Sequence, residues 1–581
     1  IDVPISAKGN CLMRYTVVNT IDGVKLYQGP LGLTFMGDYA GSDQKMRSYP
    51  VTATPITVKK AVTIPLSNCE ILNYFKEESI GVDTSLKCGS CSCGKCLSAS
   101  KQMTIGEEKK YNQFRENMYL DKHGTEEDPG PYWRTSYPWP VPREDLVYNL
   151  PAVLGVMNTT AKKLDKDPAW RQTYEEQLRD LVDRGFAKEV TQEEIDNWTQ
   201  RGGQVYYIAH QMILDSSNKT TPIRCVFNSS QKYKGHSLNG SWALGPDMTG
   251  NLQAILHRFR EGLVAAQGDI KKMYYAVRIQ EVERMMQLWV WRFTGEEKIR
   301  VFSMTRLVMG NKPSANVSQI ALKETAHLDN NATEYPVAKD ALCENSYVDN
   351  TFLGSQDTNK MKEKIEEVEH VAALGGFHYK PWIISGQEVE DVSVAPGAEP
   401  TSDNTEKALG LYWRVQNDQL MIKVQINGKK RKIALSLNNL IDNPSLKLTV
   451  RDCLSLHARC FDPTGLVLPV KMTGAILFRN TLQIISTKIK AKGGVKKLPW
   501  DEGVEGELRD KWMEYFRMLE AVSDITFPRS TQPANADPGI KPTIVTLSDG
   551  GRDAYGAVAY YLWTLRDGSK VARLVTSKGK L

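Results

Sequence analysis

The run Asn345-Ser346-Tyr347-Val348-Asp349-Asn350-Thr351-Phe352-Leu353-Gly354 constrains this chain more than any other stretch. Two short segments rich in β-branched and aromatic residues flank an Asp-Asn pair, the pattern of a tight β-hairpin with a carboxylate at its tip. Alone, it is better read as an ordinary surface hairpin. Upstream, Val264-Ala265-Ala266-Gln267-Gly268-Asp269-Ile270 supplies a second buried-looking strand that ends on an aspartate. A strand end delivering Asp269 beside a hairpin delivering Asp349 is what two-metal phosphoryl transfer needs. Hard Mg²⁺ ions take carboxylate oxygens plus substrate phosphates, and two such ions clamp the attacking and leaving oxygens.

At 581 residues the chain is too long for one core, so three or four domains are expected. With 41% hydrophobic and 24% charged residues it is too apolar for general disorder. A net charge of +6 is small for this length and permits a nucleic-acid partner without arguing for one. No run of about 18 apolar residues occurs, so no membrane span is expected. The longest candidate, Leu466 to Phe478, is interrupted by Lys471. The start lacks the basic and apolar regions of a signal peptide, and Ile1 in place of Met suggests a fragment or a piece of a polyprotein.

Residues 1–100 read as β-rich and irregular, with short strands such as Ala61-Val62-Thr63-Ile64 between Gly and Pro punctuation. No Asp-Thr-Gly or Asp-Ser-Gly occurs, which excludes an aspartic protease centre here. Cys88, Cys91, Cys93 and Cys96 close this region, while the remaining cysteines are scattered singly, as in a reducing compartment. Thiolates two residues apart suit Zn²⁺, but one residue between Cys91 and Cys93 strains a four-ligand cage. A structural zinc site and free thiols both stay open, with an iron–sulfur cluster as the outsider.

Residues 101–150, polar and then rich in Trp and Pro (Pro138-Trp139-Pro140), read as a linker or arm. Asp167-Pro168 opens a helix whose Trp170, Tyr174, Leu178, Leu181 and Val182 share a face and which Gly185 ends. Two strands, Val205 to Leu214 and Ile223 to Phe227, are joined by a turn through Lys219. Lys219 and Arg224 can grip a triphosphate, and His210 reads as a hydrogen-bonded structural histidine rather than a ligand. Gly310, in a turn before a helix through Gln319, lets backbone approach a nucleotide or template base. Met361, Ile365, Val368 and Ala372 line a helix closed by Gly375-Gly376, and Phe377 to Lys380 is expected to be a strand. The order predicts an α+β sheet with helices on one face.

These pieces, in this order, resemble the reverse transcriptase of Bel/Pao-type LTR retrotransposons over roughly Pro151 to Trp512. The resemblance rests on Gly268 to Tyr274, Arg224 to Ser230, Ser237-Leu238-Asn239, Gly310 to Gln319, Tyr347 to Asn350, Leu409 to Trp413 and Phe461 to Leu466. It implies a right-hand polymerase, with fingers and palm at 151–400 and primer grip, thumb and connection at 401–540. It implies Asp269 and Asp349 as catalytic Mg²⁺ or Mn²⁺ ligands and Tyr274 as the side chain excluding a ribose 2′-hydroxyl. Lys219, Arg224, Gly310 and Lys380 would meet the nucleotide, and Leu409 and Gly410 would form the primer grip. The family's Tyr-x-Asp-Asp box is matched except at its end, where Asn350 leaves two carboxylates instead of three and an amide oxygen that ligates weakly.

Downstream, Met421 to Leu435 reads as a strand pair about Asn427-Gly428, followed by Lys429, Lys430, Arg431 and Lys432. Lys488, Lys490, Lys492, Lys496 and Lys497 form a second basic cluster that could meet phosphates. Residues 541–581 look like the opening of an RNase H-like domain, truncated at Leu581, with Asp549 as its first metal ligand. The expected function is RNA-directed DNA synthesis with an RNA template, a DNA primer and dNTPs. The alternative is an inactive relic that only binds nucleic acid. The family resemblance implies a cytoplasmic virus-like particle.

Overall fold

The computed structural model describes residues 16–21, 24–29, 32–37, 103–126, 128–214, 223–387, 405–424, 426–428, 435–491 and 499–581. The chain divides into two compact units of mixed helix and strand. One comprises Gly81–Leu409 with Trp413–Gln419, the other Ile1–Ile80, Gly410–Tyr412 and Leu420–Leu581.

The first unit is organised on a four-stranded sheet in the order Ser346–Tyr347, Asn350–Ser355, Val264–Asp269, Ile383–Ile384. The register sets Asn350 opposite Asp269, Phe352 opposite Gln267 and Leu353 opposite Ala266. Because side chains alternate along a strand, Gln267, Asp269, Asn350 and Phe352 share one face, and Ala266 and Leu353 the other. Ala266 and Leu353 join the apolar core together with Met361, Val368, Val371 and Ala372 of the helix Thr358–Ala373. On the opposite face, Phe352 meets Phe259 edge-on at 5.2 Å, and Phe259 meets Trp413 in the same way. The aspartate end of that face stays half exposed.

The helix Pro168–Asp183 starts as its sequence predicts, with the Asp167 carboxylate accepting from the Ala169 amide. Its buried Tyr174 packs beside His210 and Trp291. His210 is fully enclosed: Nε2 lies 3.1 Å from the Val290 carbonyl and Nδ1 lies 2.7 Å from the Tyr174 hydroxyl. It is the structural histidine expected.

The stretch read as a linker or arm is instead built into this unit. A helix, Ile105–Arg115, is followed by strands Met118–Asp121 and Tyr132–Thr135, which pair with each other, and Tyr132–Thr135 pairs on its other side with the distant Arg278–Ile279. Tyr132, Trp133 and Tyr137 are buried. Glu283, also buried, accepts from the Trp139 ring nitrogen, the Tyr137 amide and Arg143. Those three donors let a carboxylate sit in the interior and clamp the Trp- and Pro-rich segment. Phe377 to Lys380 is not a strand: only Tyr379 bridges to Ile270, and the strand proper is Ile383–Ile384.

In the second unit the backbone of Thr16–Ile21, Val24–Gly29 and Gly32–Gly37 forms an antiparallel three-stranded sheet. Asn427 and Gly428 pair with Ser436 and Leu435, so they are strand residues and not the hairpin turn expected of an Asn-Gly pair. Helices Val450–His457, Leu468–Ala491 and Glu507–Ala521 pack together through buried polar bonds. His457 Nδ1 lies 2.6 Å from the Tyr515 hydroxyl, and the Trp512 ring nitrogen donates to Thr481 Oγ1 at 2.9 Å. Strands Thr543–Gly550, Tyr555–Thr564 and Lys570–Lys580 then form an antiparallel sheet. Among the described residues no helix is long and apolar enough to cross a membrane.

Candidate active site

Asp269 ends the central strand, and Asp349 sits in the two-residue turn between Tyr347 and Asn350. Val348 occupies the first turn position at φ +57°, a conformation glycine normally supplies in tight hairpins. For a β-branched residue this is a genuine outlier, costing on the order of 1–3 kcal/mol, and such strain collects at functional sites. The turn is pinned by the Ile270 amide, which donates to the Asp349 carbonyl at 2.8 Å. The two carboxylates therefore converge.

Burial raises the Asp349 carboxyl above the usual carboxylate range, and the nearby Asp269 charge raises it further. Its own backbone amide, Lys380 and the Asn350 amide offset part of that rise. Lys380 is anchored by its main-chain amide to the Asp269 carbonyl at 2.8 Å, and its ammonium stands 3.0 Å from Asp269 Oδ1. Two hard oxygen donors that repel each other, one of them already facing a cationic head, fit Mg²⁺ or Mn²⁺. Among the described residues no cluster of three or more His, Cys, Asp or Glu joins them. Asn350 turns its Nδ2, not its oxygen, to Asp349 Oδ1 at 3.0 Å. Tyr274, half-buried in a short helix entered through the left-handed Lys272, has its hydroxyl pKa raised by burial and then by the Asp349 charge. The structure thus brings Asp269, Asp349, Asn350, Tyr274 and Lys380 together.

Gly310 takes φ +104°, and a Cβ there would stand 3.0 Å from the Phe227 carbonyl. Its turn is tied down by Asn239, which donates to the Gly310 carbonyl at 2.9 Å and accepts from the Lys312 amide at 2.8 Å. Next to it, Asn311 accepts from Ser229 Oγ at 2.6 Å and donates to Gln287. Met309 is 69% exposed beside the glycine. Arg224 lies exposed on the strand Ile223–Asn228, while Lys219 lies outside the described residues. Leu409 and Gly410 both take positive φ, +51° and +88°, in the turn joining Thr405–Ala408 to Leu411–Arg414. Cys88, Cys91, Cys93, Cys96, Lys429, Lys430, Arg431, Lys432, Lys492, Lys496 and Lys497 also lie outside the described residues.

Sequence reading quoted Asn239 and Asn311 only inside longer motifs and gave no role to Gln267. A period-two count back from Asp269 would have placed Gln267 on its face.

Residues 449–581 match the model of the Pao retrotransposon-like RNaseH-like domain. Over this segment the chain is Pao-like. The resemblance to a Bel/Pao retrotransposon polyprotein seen in the sequence is shown there. No curated protein matches the chain. Among solved structures, the foamy viral protease-reverse transcriptase dRH in complex with ds DNA aligns over 69% of this chain at 11% identity and a TM-score of 0.39. The chain covers 54% of that protein's length.

The Pao-like segment opens where Thr449 caps the helix Val450–His457 in a reciprocal capping box with Asp452. Its Phe461 to Leu466 loop has a structural logic. Asp462 is buried and accepts from the Leu466 and Val467 amides, each at 2.8 Å, at the start of Leu468–Ala491. Gly465 takes φ +75° with its Cα so close to the Ser577 carbonyl that a Cβ would fall 2.0 Å from it. The loop thereby welds helix to sheet, because the Ser577 amide and the Thr576 hydroxyl both donate to the Thr464 carbonyl. Asp549 is exposed on the first strand of that sheet, opposite Gly556.

Proposed function

We propose that the chain is a retrotransposon RNA-directed DNA polymerase, transferring a nucleotide from a dNTP to a primer 3′-hydroxyl on an RNA template. The observation that carries this reading is the convergence of Asp269 and Asp349, from a strand end and a strained hairpin turn on one sheet. The Pao-like match of residues 449–581 supports the retroelement origin. The residues 151–400 would then serve as fingers and palm, and the cytoplasmic particle is carried over from the family resemblance.

In this reading Asp269 and Asp349 would hold the divalent cations, which would supply Lewis acidity at the primer hydroxyl and positive charge beside the transferring phosphoryl group. Arg224 and Lys219 grip the triphosphate, Tyr274 packs against the sugar, and the Gly310 turn lets backbone reach the base. Lys380 stands where a departing pyrophosphate needs a cation. The turn at Leu409 and Gly410 seats the primer end. Primer extension on a primed RNA template with Mg²⁺ or Mn²⁺ tests it: incorporation lost in Asp269→Asn supports the reading, and no incorporation by the natural chain with either ion overturns it.

A second reading, a nucleic-acid-binding relic, is favoured by one observation: Asn350 leaves the site with two carboxylates. Template binding without any extension would select it. Zinc at the cysteine cluster is a separate proposal resting on spacing alone, tested by metal analysis of the purified chain.

A further inference from the structure

Asn350 stands at the position where the polymerase reading wants a third carboxylate, so which of its two polar atoms faces the site decides what it can do. Size and shape do not distinguish an amide oxygen from its nitrogen; the surrounding donors and acceptors do. The chain of polarity begins at a group with no ambiguity. The Lys407 main-chain carbonyl can only accept, and Gln267 presents Nε2 to it at 3.1 Å. Gln267 is nearly buried, and its Oε1 has no hydrogen-bond partner among the described residues. The side chain is therefore held by its amino end, not its oxygen.

The same Nε2 lies 3.3 Å from Asn350 Oδ1, and Asn350 Nδ2 lies 3.0 Å from Asp349 Oδ1. Reversing the Asn350 amide would set donor against donor at Gln267 and oxygen against carboxylate oxygen at Asp349. Both contacts would turn repulsive. We infer that Gln267 is a positioning residue that fixes Asn350 as a hydrogen-bond donor to Asp349 and keeps its oxygen from any cation held by Asp269 and Asp349. This rests on the two-carboxylate site proposed above.

The arrangement has a second consequence. A carboxylate at position 350 would accept from Gln267 with one oxygen and offer the other to the site. Gln267 thus withholds a ligand in the natural chain and would orient one in the Asn350→Asp variant. Groups that orient a ligand from behind typically change metal affinity about 10–100-fold when removed. The sign of the effect of removing Gln267 therefore depends on what occupies position 350.

The test uses the full chain on a primer–template duplex, with Mn²⁺ binding read from the free-ion electron paramagnetic resonance signal. Gln267→Met, close in volume and without a donor, is introduced into the natural and the Asn350→Asp backgrounds. Expected is about 2–10-fold tighter Mn²⁺ binding in the natural chain and about tenfold weaker binding in the Asn350→Asp background. Asn350→Leu, which should fold irrespective of Gln267, is expected to leave Mn²⁺ affinity within about twofold, since its oxygen is not a ligand. A shift of the same sign in both backgrounds, or a tenfold loss in Asn350→Leu, overturns the role of Gln267 alone. If Asp269→Asn leaves Mn²⁺ binding unchanged, the two-carboxylate site falls and the role of Gln267 with it.

Discussion

The Lys380 ammonium lies 3.0 Å from Asp269 Oδ1, on the carboxylate that would hold a cation. Lys380 is 55% exposed and Asp269 37% exposed, so solvent screens the pair and it is worth only about 0–1 kcal/mol. A divalent ion can displace it readily. Lys380→Gln is expected to lower the half-saturating Mg²⁺ concentration, by no more than about fivefold, because 1 kcal/mol is close to that factor. On the proposed reading incorporation should nevertheless slow, since the leaving pyrophosphate would lose its cation. Mg²⁺ titrations of primer extension check both; a raised Mg²⁺ requirement would count against competition at Asp269.

Asp269→Asn and Asp349→Asn should each abolish incorporation while leaving primer–template affinity within a few-fold. On the polymerase reading, duplex binding would draw on phosphate contacts spread along the chain, whereas chemistry would draw on two adjacent carboxylates. Asn350→Asp should raise incorporation at least about tenfold and lower the Mg²⁺ needed. A carboxylate about 4 Å from a cation gains ~4 kcal/mol per unit charge at a surface-like effective dielectric, and repulsion from Asp349 returns part of it. Mn²⁺ should help the natural chain more than the Asn350→Asp variant. Single-nucleotide incorporation on one primed template decides among these.

What the sequence made legible was local chemistry. The Asp349 hairpin, the Asp167 cap, the stop at Gly185 and the Gly310 turn all follow from short-range rules of turns and caps. What it hid depended on pairing between distant residues. Met118–Asp121 and Tyr132–Thr135 are four residues each and close a sheet only with Arg278–Ile279. Asp128 looks like a loop acid until Arg278 and Arg306 are seen to bind it. Burial alone would raise its carboxyl; the two guanidinium groups bring it down to about 2. The Gln267–Asn350–Asp349 relay was hidden for the same reason, since it exists only in the observed strand register.

Gly310→Ala should damage function more than stability. A side chain at φ +104° costs on the order of 1–3 kcal/mol, and the Cβ would also press on the Phe227 carbonyl at 3.0 Å. Relief requires the turn to move away from Phe227, breaking its bonds to Asn239. The expected outcome is a melting temperature lowered by a few degrees and a KM for dNTP raised about tenfold, with template affinity unchanged. Steady-state kinetics alongside thermal melts measure this; an unchanged KM would remove the turn from the nucleotide site.

Buried neutral histidines should set the acid limit of the fold. At His210 the Val290 carbonyl can only accept, so Nε2 carries the proton and Nδ1 accepts from the Tyr174 hydroxyl. Burial pushes the His210 pKa down to about 4, partly opposed by the Val290 hydrogen bond, and burial takes His457 down to about 3. The unfolded chain takes up protons on these rings as pH falls below about 6.5, whereas the folded chain does not until its own lower values are reached. Stability is therefore full above that pH and falls as pH drops from about 6.5 toward 4. For His210 the difference is worth about 3 kcal/mol across that window. His210→Gln keeps a donor for Val290 and removes the titration. It should be less stable than the natural chain at pH 7.5 yet lose less on acidification to pH 4.5. Denaturant unfolding at both pH values tests it, and equal losses in the two proteins would show that His210 is not part of the acid response.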